Sequence, residues 1–71
     1  MADKPVVAVE FIHYEVDVRD EPGTALRRER AEMRLLELIA QGFTRLDTTV
    51  GQPNRDGQYA IVITMVLIEE V

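Results

Sequence analysis

Four arginines on one predicted helix are the residues best suited to bind an anion. Arg27, Arg30 and Arg34 are spaced three and four residues apart, so they share one helical face, and Arg28 lies beside them. Stacked cations repel one another unless an anion or carboxylates lie nearby. The stripe indicates either an anion site or, as the more common alternative, a solvated face paired with carboxylates of the same helix.

A second candidate site is the segment Asn54-Arg55-Asp56-Gly57. Asn54 offers donors and acceptors and Asp56 accepts hydrogen bonds, so the pair suits ribose hydroxyls or a base edge. The same residue types are ordinary turn formers, and turn chemistry is the stronger interpretation from the sequence alone.

His13, Glu15 and Asp17 share one face of a predicted strand, and a His–carboxylate set can perform acid–base chemistry. A solvent-exposed strand face with alternating polar residues is a better explanation of this set than catalysis, because no plausible nucleophile or metal partner accompanies it. Phe43 opens another strand, where an exposed ring could stack on a base. Packing of that ring in the protein is the favoured alternative. We therefore expect no catalytic residue, no metal and no cofactor.

Hydrophobic periodicity predicts three strands that position these residues, all within one domain covering residues 1–71. Residues 5–18 form a long strand with one face apolar almost throughout. Residues 43–51 alternate weakly, which predicts an edge strand, with Leu46, Thr48 and Val50 on one face and Phe43, Arg45 and Asp47 on the other. Residues 59–69 are apolar on both faces, which is typical of a central strand. Residues 51–57 form the hairpin loop between the last two strands.

A helix is predicted between the first two strands. Thr24 can cap it, although Asp20 or Glu21 before Pro22 could start it earlier, and Gly42 ends it after about Gln41. Apolar residues at helical spacing predict its buried stripe. They are Leu26, Met33, Leu36 and Ala40, with Leu35 and Ile39 beside them.

These elements predict an α+β fold, a single βαββ domain with a three-stranded antiparallel sheet in the order 1-3-2. The helix covers one face of the sheet. The other face carries apolar residues such as Val7, Val9 and Phe11, and no further element is left to cover it. An uncovered apolar patch usually marks an interface, so we expect a homo-oligomer.

Composition supports the same expectation and excludes several functional classes. The core of a 71-residue chain rarely supplies more than ~3–5 kcal/mol of net stability without disulfides, a metal or a partner subunit. Disulfides are excluded because the chain has no Cys, which favours oligomerisation. The net charge of −5 disfavours a duplex nucleic acid partner. The longest apolar stretch, residues 60–68, is too short for a membrane helix, and the N-terminal residues lack a signal-peptide pattern. We expect a cytoplasmic location. Seven of the eight basic residues are Arg, which hints at recognition rather than solvation.

The order of strand, helix ending in Gly-Phe, strand, Asn-Arg-Asp-Gly loop and long final strand resembles a group of small βαββ proteins that includes sporulation-associated proteins. Within that group, residues 24–69 most resemble the phage-encoded Thoeris anti-defence sponges. Those proteins sequester cyclic ADP-ribose signals made by bacterial TIR-domain defence enzymes, without cleaving them. They form dimers that assemble into hexamers.

The resemblance implies a ligand site as well as a function. Asn54 and Asp56 match the loop residues that hold the polar groups of the ligand, and Phe43 is the nearest match to the aromatic residue that stacks on adenine. Diphosphate contacts would come from Arg55 or from the helix arginines Arg27, Arg28, Arg30 and Arg34, including those of a neighbouring subunit. The function implied is non-catalytic sequestration of a cyclic ADP-ribose isomer in the bacterial cytoplasm. The alternative is a homo-oligomeric protein–protein interaction module, and an enzyme or a transcriptional regulator ranks below both.

Overall fold

A computed structural model describes residues 5–69, which form one helix and three strands. The elements are β1 (Val6–Asp17), α1 (Glu21–Ala40), β2 (Thr44–Val50) and β3 (Gln58–Ile68). The strands form one antiparallel sheet in the order β1-β3-β2. The predicted α+β class, βαββ topology and strand order are therefore confirmed.

β3 is the central strand, as its two apolar faces predict. Its register with β1 places Ile63 opposite Ile12 and Val62 opposite His13. Alternate side chains point to opposite faces, so Ile12 and Ile63 lie on the helix side, where the main core forms. The buried core cluster consists of Ile12, Ala31, Leu38, Phe43, Ile63 and Met65.

The helix begins with Asp20 as its N-cap, which was one of the starts that the sequence offered. The Asp20 carboxylate accepts a hydrogen bond from the Gly23 amide at 3.0 Å, and Pro22 occupies the first turn. Thr24 does not cap the helix. Its hydroxyl accepts from the Asp17 amide at 2.9 Å and donates to the Asp17 carbonyl at 3.0 Å, which fixes the first turn of α1 against the end of β1.

The helix ends in a Schellman motif that explains the Gly-Phe pair. Gly42 has φ +99°, a left-handed conformation that glycine adopts without steric cost. The Phe43 amide donates to the Leu38 carbonyl at 2.9 Å, and the Gly42 amide donates to the Ile39 carbonyl at 3.0 Å. The side chains of Phe43 and Leu38 are both buried in the core cluster, and an apolar contact between these two positions commonly accompanies the motif.

The predicted buried stripe of the helix is wrong. Leu26, Met33 and Leu36 are 49–65% exposed, and Ile39 and Ala40 are exposed as well. The residues that face the sheet are Thr24, Ala31 and Leu38, with Leu35 half-buried. The rotation of α1 is set by polar contacts to β1, namely the Thr24 hydroxyl on Asp17 and the Arg27 guanidinium on the Glu15 carbonyl.

β2 is an edge strand as predicted, but its side chains do not alternate regularly. The register shifts between Arg45 and Asp47, which marks a bulge at Leu46. Because of this shift, Arg45 aligns with Met65 and Thr48 aligns with Ile63, so both belong to the helix-side face. The predicted division into one face with Leu46 and another with Arg45 and Asp47 therefore does not hold, and all seven residues of β2 are exposed.

The sheet face opposite α1 is open in the described part of the chain. Val7, Val9 and Phe11 are 52%, 47% and 66% exposed there. The molecule measures 48 × 22 × 12 Å, and its radius of gyration is 14.8 Å, whereas a compact chain of this length has about 11 Å. Twelve large hydrophobic side chains are exposed and only eight hydrophobic residues are buried among residues 5–69. A surface of this kind favours association.

Candidate functional site

An open groove of about 540 Å³ runs between α1 and the outer edge of β1. It collects three of the four predicted helix arginines and brings them to the polar half of β1. Its lining residues include Arg27, Arg30 and Arg34 from the helix and the stretch 11–15 of the strand, where Ile12 and Tyr14 direct their side chains to the helix side. This groove is the candidate site, and it is called the arginine groove below.

Arg27 connects α1 to β1 at the groove by a hydrogen bond. Its Nε donates to the Glu15 carbonyl oxygen at 2.9 Å and its Nη2 donates to the Thr24 hydroxyl at 3.3 Å. The Asp20 carboxylate lies 4.0 Å from Nη1. The side chain is half-buried, and its Nε contact reaches the backbone of the strand, so Arg27 acts mainly as a structural link between α1 and β1.

Arg30 and Arg34 are the two guanidinium groups available at the mouth of the groove. Arg34 contacts Glu37 at 3.1 Å in an exposed pair, which is the kind of ion pair that contributes little stability and is readily exchanged. Arg30 is exposed and has no ion-pair partner within residues 5–69. The pair of Arg34 with Glu37 is the same-helix carboxylate contact that the solvated-face alternative predicts.

The groove is locally positive in an acidic protein. Three guanidinium groups line it and the Glu15 side chain points to the opposite face of the sheet, whereas the whole chain carries a net charge of −5. At physiological ionic strength the Debye length is about 8 Å, so distant carboxylates are largely screened and the nearby guanidinium groups dominate the potential.

Arg28 and Arg55 do not join this groove. Arg28 lines a separate depression of about 380 Å³ at the start of the helix, together with Asp17 and Glu21. Arg55 is exposed in the loop that precedes β3. The predicted supply of phosphate-binding arginines is therefore split, with Arg27, Arg30 and Arg34 together and the other two elsewhere.

The loop candidates are engaged in turn chemistry. The Asn54 side-chain oxygen accepts from the amides of Asp56 and Gln58, both at 2.9 Å, and its Nδ2 donates to the Gln58 side chain at 3.0 Å. Gly57 completes the turn with φ +77°. The Asp56 carboxylate pairs with Arg19 at 3.1 Å on the surface. This is the turn interpretation that the sequence favoured, and it leaves Asn54 with little free hydrogen-bonding capacity.

Phe43 is not an exposed ring. Its side chain is 7% exposed and belongs to the core cluster with Leu38 and Met65. The expectation that it presents a stacking surface for adenine is therefore wrong for this chain by itself, and its alternative role in packing accounts for its position. The physical reason is the Schellman motif, which turns the residue after Gly42 back onto the helix end.

Of the set His13, Glu15 and Asp17, the Asp17 carboxylate is engaged in hydrogen bonds with neighbouring groups. The Asp17 carboxylate accepts from the Gln58 side chain at 3.1 Å and from the Arg19 amide at 3.0 Å. These two hydrogen bonds, the first being the larger effect, lower the pKa of Asp17 and keep it ionised near neutral pH. Within residues 5–69 no cluster of three or more His, Cys, Asp and Glu side chains is arranged to hold a metal ion.

Sequence reasoning did not identify Tyr14 as part of the groove, nor the surface ion pair of Arg19 with Asp56. Tyr14 is half-buried beside the core on the helix side of the sheet, so its ring adjoins the helix arginines, whereas the side chains of Phe11 and His13 point to the opposite face. The short connection between β1 and α1 could have indicated that Arg27 lies beside β1. Only three residues separate the two elements, so α1 runs antiparallel along β1 and places Arg27 next to Glu15.

Comparisons with known proteins add no identification. No family model matches the chain, and no curated protein or solved structure matches it either. The described helix is not apolar enough over its length to cross a membrane.

Proposed function

We propose that this chain binds a small anionic nucleotide without transforming it, and that the arginine groove is its binding site. The observation that supports this proposal is the concentration of Arg27, Arg30 and Arg34 in one groove beside the half-buried ring of Tyr14. The resemblance to the Thoeris anti-defence sponges points to a cyclic ADP-ribose isomer as the ligand. The biological effect would then be to remove the signal of a TIR-based defence system in the bacterial cytoplasm.

The chemistry of the groove suits the two parts of such a ligand. Guanidinium groups contact phosphate oxygens through paired, charge-assisted hydrogen bonds. Arg30 is exposed for such a contact, and Arg34 can exchange its exposed pair with Glu37 for one. The three guanidinium groups that line the groove complement the negative charge of a diphosphate. The ring of Tyr14 supplies apolar surface for a base or a ribose. The volume of about 540 Å³ lies in the usual range for small-molecule sites.

Sequestration requires affinity alone, since no transition state has to be stabilised. The groove is open along one side in the single chain, so a bound nucleotide would keep part of its surface in water. A second subunit over this side would enclose the ligand more completely, in keeping with the homo-oligomer expected from the sequence.

The first test is thermal unfolding of the purified protein with cyclic ADP-ribose isomers and with cyclic di- and trinucleotides as comparison ligands. A ligand present at 100 times its dissociation constant should stabilise the native state by about 2.7 kcal/mol. The ligand recovered after denaturation should be chemically intact. A nucleotide that is converted to product would contradict the proposal and indicate an enzyme.

Paired variants locate the site. The double change Arg30→Ala with Arg34→Ala should abolish the shift, whereas Arg45→Ala with Arg55→Ala removes the same charge outside the groove and should preserve it. The change Asn54→Ala with Asp56→Ala tests the loop site that the resemblance implies. Loss of binding only in the loop variant would move the site from the groove to the loop.

A second candidate function is a homo-oligomeric interaction module. It is favoured by the twelve exposed large hydrophobic side chains, which exceed the eight buried hydrophobic residues of the described chain. Light scattering should then give an oligomer mass at micromolar concentration, with no thermal shift from any nucleotide. A monomer mass would contradict this second function.

A further inference from the structure

The two edges of the sheet differ in how well they are protected against pairing. β2 is short, carries a bulge and the charged residues Arg45 and Asp47, and its Thr48 amide is already bonded to the Asp47 carboxylate at 2.8 Å. These features block strand addition. β1 is twelve residues long, contains no proline or lysine, and begins with an apolar half. An unprotected edge of this length is a template for another strand.

The polar contacts of β1 identify the part of its edge that is open. The Glu15 carbonyl is occupied by Arg27, and the amide and carbonyl of Asp17 are occupied by Thr24. Because antiparallel pairing uses alternate residues, the odd-numbered residues of β1 direct their backbone groups away from β3. The register irregularity between Val6 and Ala8 limits the other end. The open stretch therefore runs from Val9 to His13, with Phe11 at its centre.

We propose that two copies of this chain pair antiparallel through this open stretch, with Phe11 opposite Phe11 of the partner subunit. The two three-stranded sheets then form one continuous sheet about a two-fold axis. Val9 lies opposite the partner's His13, and roughly six backbone hydrogen bonds form. A register centred on His13 would use the Glu15 carbonyl, which Arg27 already occupies. A register centred on Val9 would run into the irregular end of the strand.

Side-chain chemistry favours a second copy as the occupant of this edge. In the register centred on Phe11, Glu10 lies opposite the partner's Ile12, on the helix side of the sheet. The exposed Glu10 carboxylate is then brought to the mouth of the partner's arginine groove, where Arg30 and Arg34 are located. On the open face, the two Phe11 rings, each 66% exposed in the single chain, become cross-strand neighbours. Opposite charges and an aromatic pair thus meet across the same seam.

The pairing changes the candidate site, and this consequence rests on the proposed function. A two-fold axis perpendicular to the sheet places both helices on the same face, with their arginine sides toward the seam. The two arginine grooves then become one cleft between the subunits, floored by the paired β1 strands. A bridging phosphate in this cleft would relieve the repulsion between the two sets of arginines, so the ligand would be an anion shared by both subunits.

Single cysteine variants test the register directly, because the chain has no Cys. The two residues at position 11 would have Cα atoms about 5.5 Å apart, which allows a disulfide. The two residues at position 9 would be offset by roughly 13 Å along the strands, which does not. Under mild oxidation without nucleotide, Phe11→Cys should form a covalent dimer and Val9→Cys should remain uncrosslinked. Equal cross-linking, or cross-linking of Val9→Cys alone, would overturn the proposed register.

A proline variant tests the edge without relying on disulfides. The His13 amide points away from β3, so His13→Pro removes a donor from the free edge and leaves the ladder to β3 intact. Val50→Pro is the matched control, because the Val50 amide points away from β3 at the other edge. Light scattering without nucleotide should give half the wild-type mass for His13→Pro and the wild-type mass for Val50→Pro, with folding checked by circular dichroism. A monomeric wild type, or a dimeric His13→Pro, would overturn the pairing whatever the nucleotide titrations show.

Discussion

The replacement of Phe43 by leucine separates the two roles assigned to this residue. Phe43 is 7% exposed and packs in the core cluster at the end of the Schellman motif. Leucine keeps an apolar side chain there and removes the aromatic ring. A shape change of this kind in a core costs on the order of 1 kcal/mol, and up to about 1.5 kcal/mol. For a domain of this size, 1 kcal/mol lowers the melting temperature by roughly 4–8 °C.

The same variant should bind nucleotide with the wild-type affinity, because the buried ring does not line the arginine groove. If the ring instead stacked on adenine, its loss would weaken binding by roughly 1–3 kcal/mol. Thermal unfolding followed by circular dichroism gives the stability, and titration below the melting temperature gives the affinity. Phe43→Ala is the severe control, since its expected cost of about 3–5 kcal/mol is comparable with the whole stability of so small a domain.

A Phe43→Leu protein that keeps its full stability and loses its ligand would refute the packing interpretation. It would restore the stacking role that the family resemblance implies. A protein that loses stability and keeps its ligand would support the core assignment and leave the arginine groove as the candidate site.

Two further predictions concern local structure. Gly42→Ala places a Cβ on a residue with φ +99°, 3.3 Å from Leu67 Cδ1. The free energy of unfolding, measured by urea denaturation, should therefore fall by about 1–2 kcal/mol. An unchanged urea midpoint would contradict the left-handed conformation of residue 42. Asp17→Asn should lower the melting temperature at pH 7. In the folded state the pKa of the Asp17 carboxyl lies below its ordinary value of 3.8, chiefly because of the hydrogen bond from the Gln58 side chain. The ionised carboxylate therefore contributes to the stability of the fold above pH 3.8, and this contribution is lost as the pH falls through the folded pKa. The difference between variant and wild type should therefore shrink in melting curves recorded from pH 7 down to below 3.8, and a constant difference would exclude this cause.

The elements and their order could be predicted because local signals agree with the global fold. β3 is apolar on both faces, which requires a central position, and the dense turn residues before it require a hairpin. Gly42 marked the helix end for a reason that depends only on backbone conformation. These features are encoded over a few neighbouring residues, so no knowledge of distant contacts was needed.

The buried side of the helix could not be predicted because α1 has apolar residues on more than one side. The exposed stripe of Leu26, Met33 and Leu36 is as regular as the buried one. The buried stripe has Thr24, Ala31 and Leu38 as its fully buried residues. The rotation is decided by two polar contacts to β1, and hydropathy carries no information about them.

The candidate site was predictable only in part for a similar reason. The arginine spacing on α1 was visible in the sequence, but which of these side chains reaches β1 depends on the helix rotation. Phe43 illustrates the opposite failure. A Gly-Phe pair can be interpreted as the start of a binding surface, and its amide and ring instead close the helix onto the core.

The central position of β3 also constrains when the fold can form. β1 and β2 do not pair with each other, and both obtain their backbone partners from β3 alone. Since β3 is the last of these four elements to be synthesised, a nascent chain that has not yet released Gln58–Ile68 has two strands without partners, and α1 lacks the core residues Ile63 and Met65. The sheet therefore cannot form before β3 has been synthesised, and any truncation within β3 should leave an aggregation-prone chain rather than a partly folded domain.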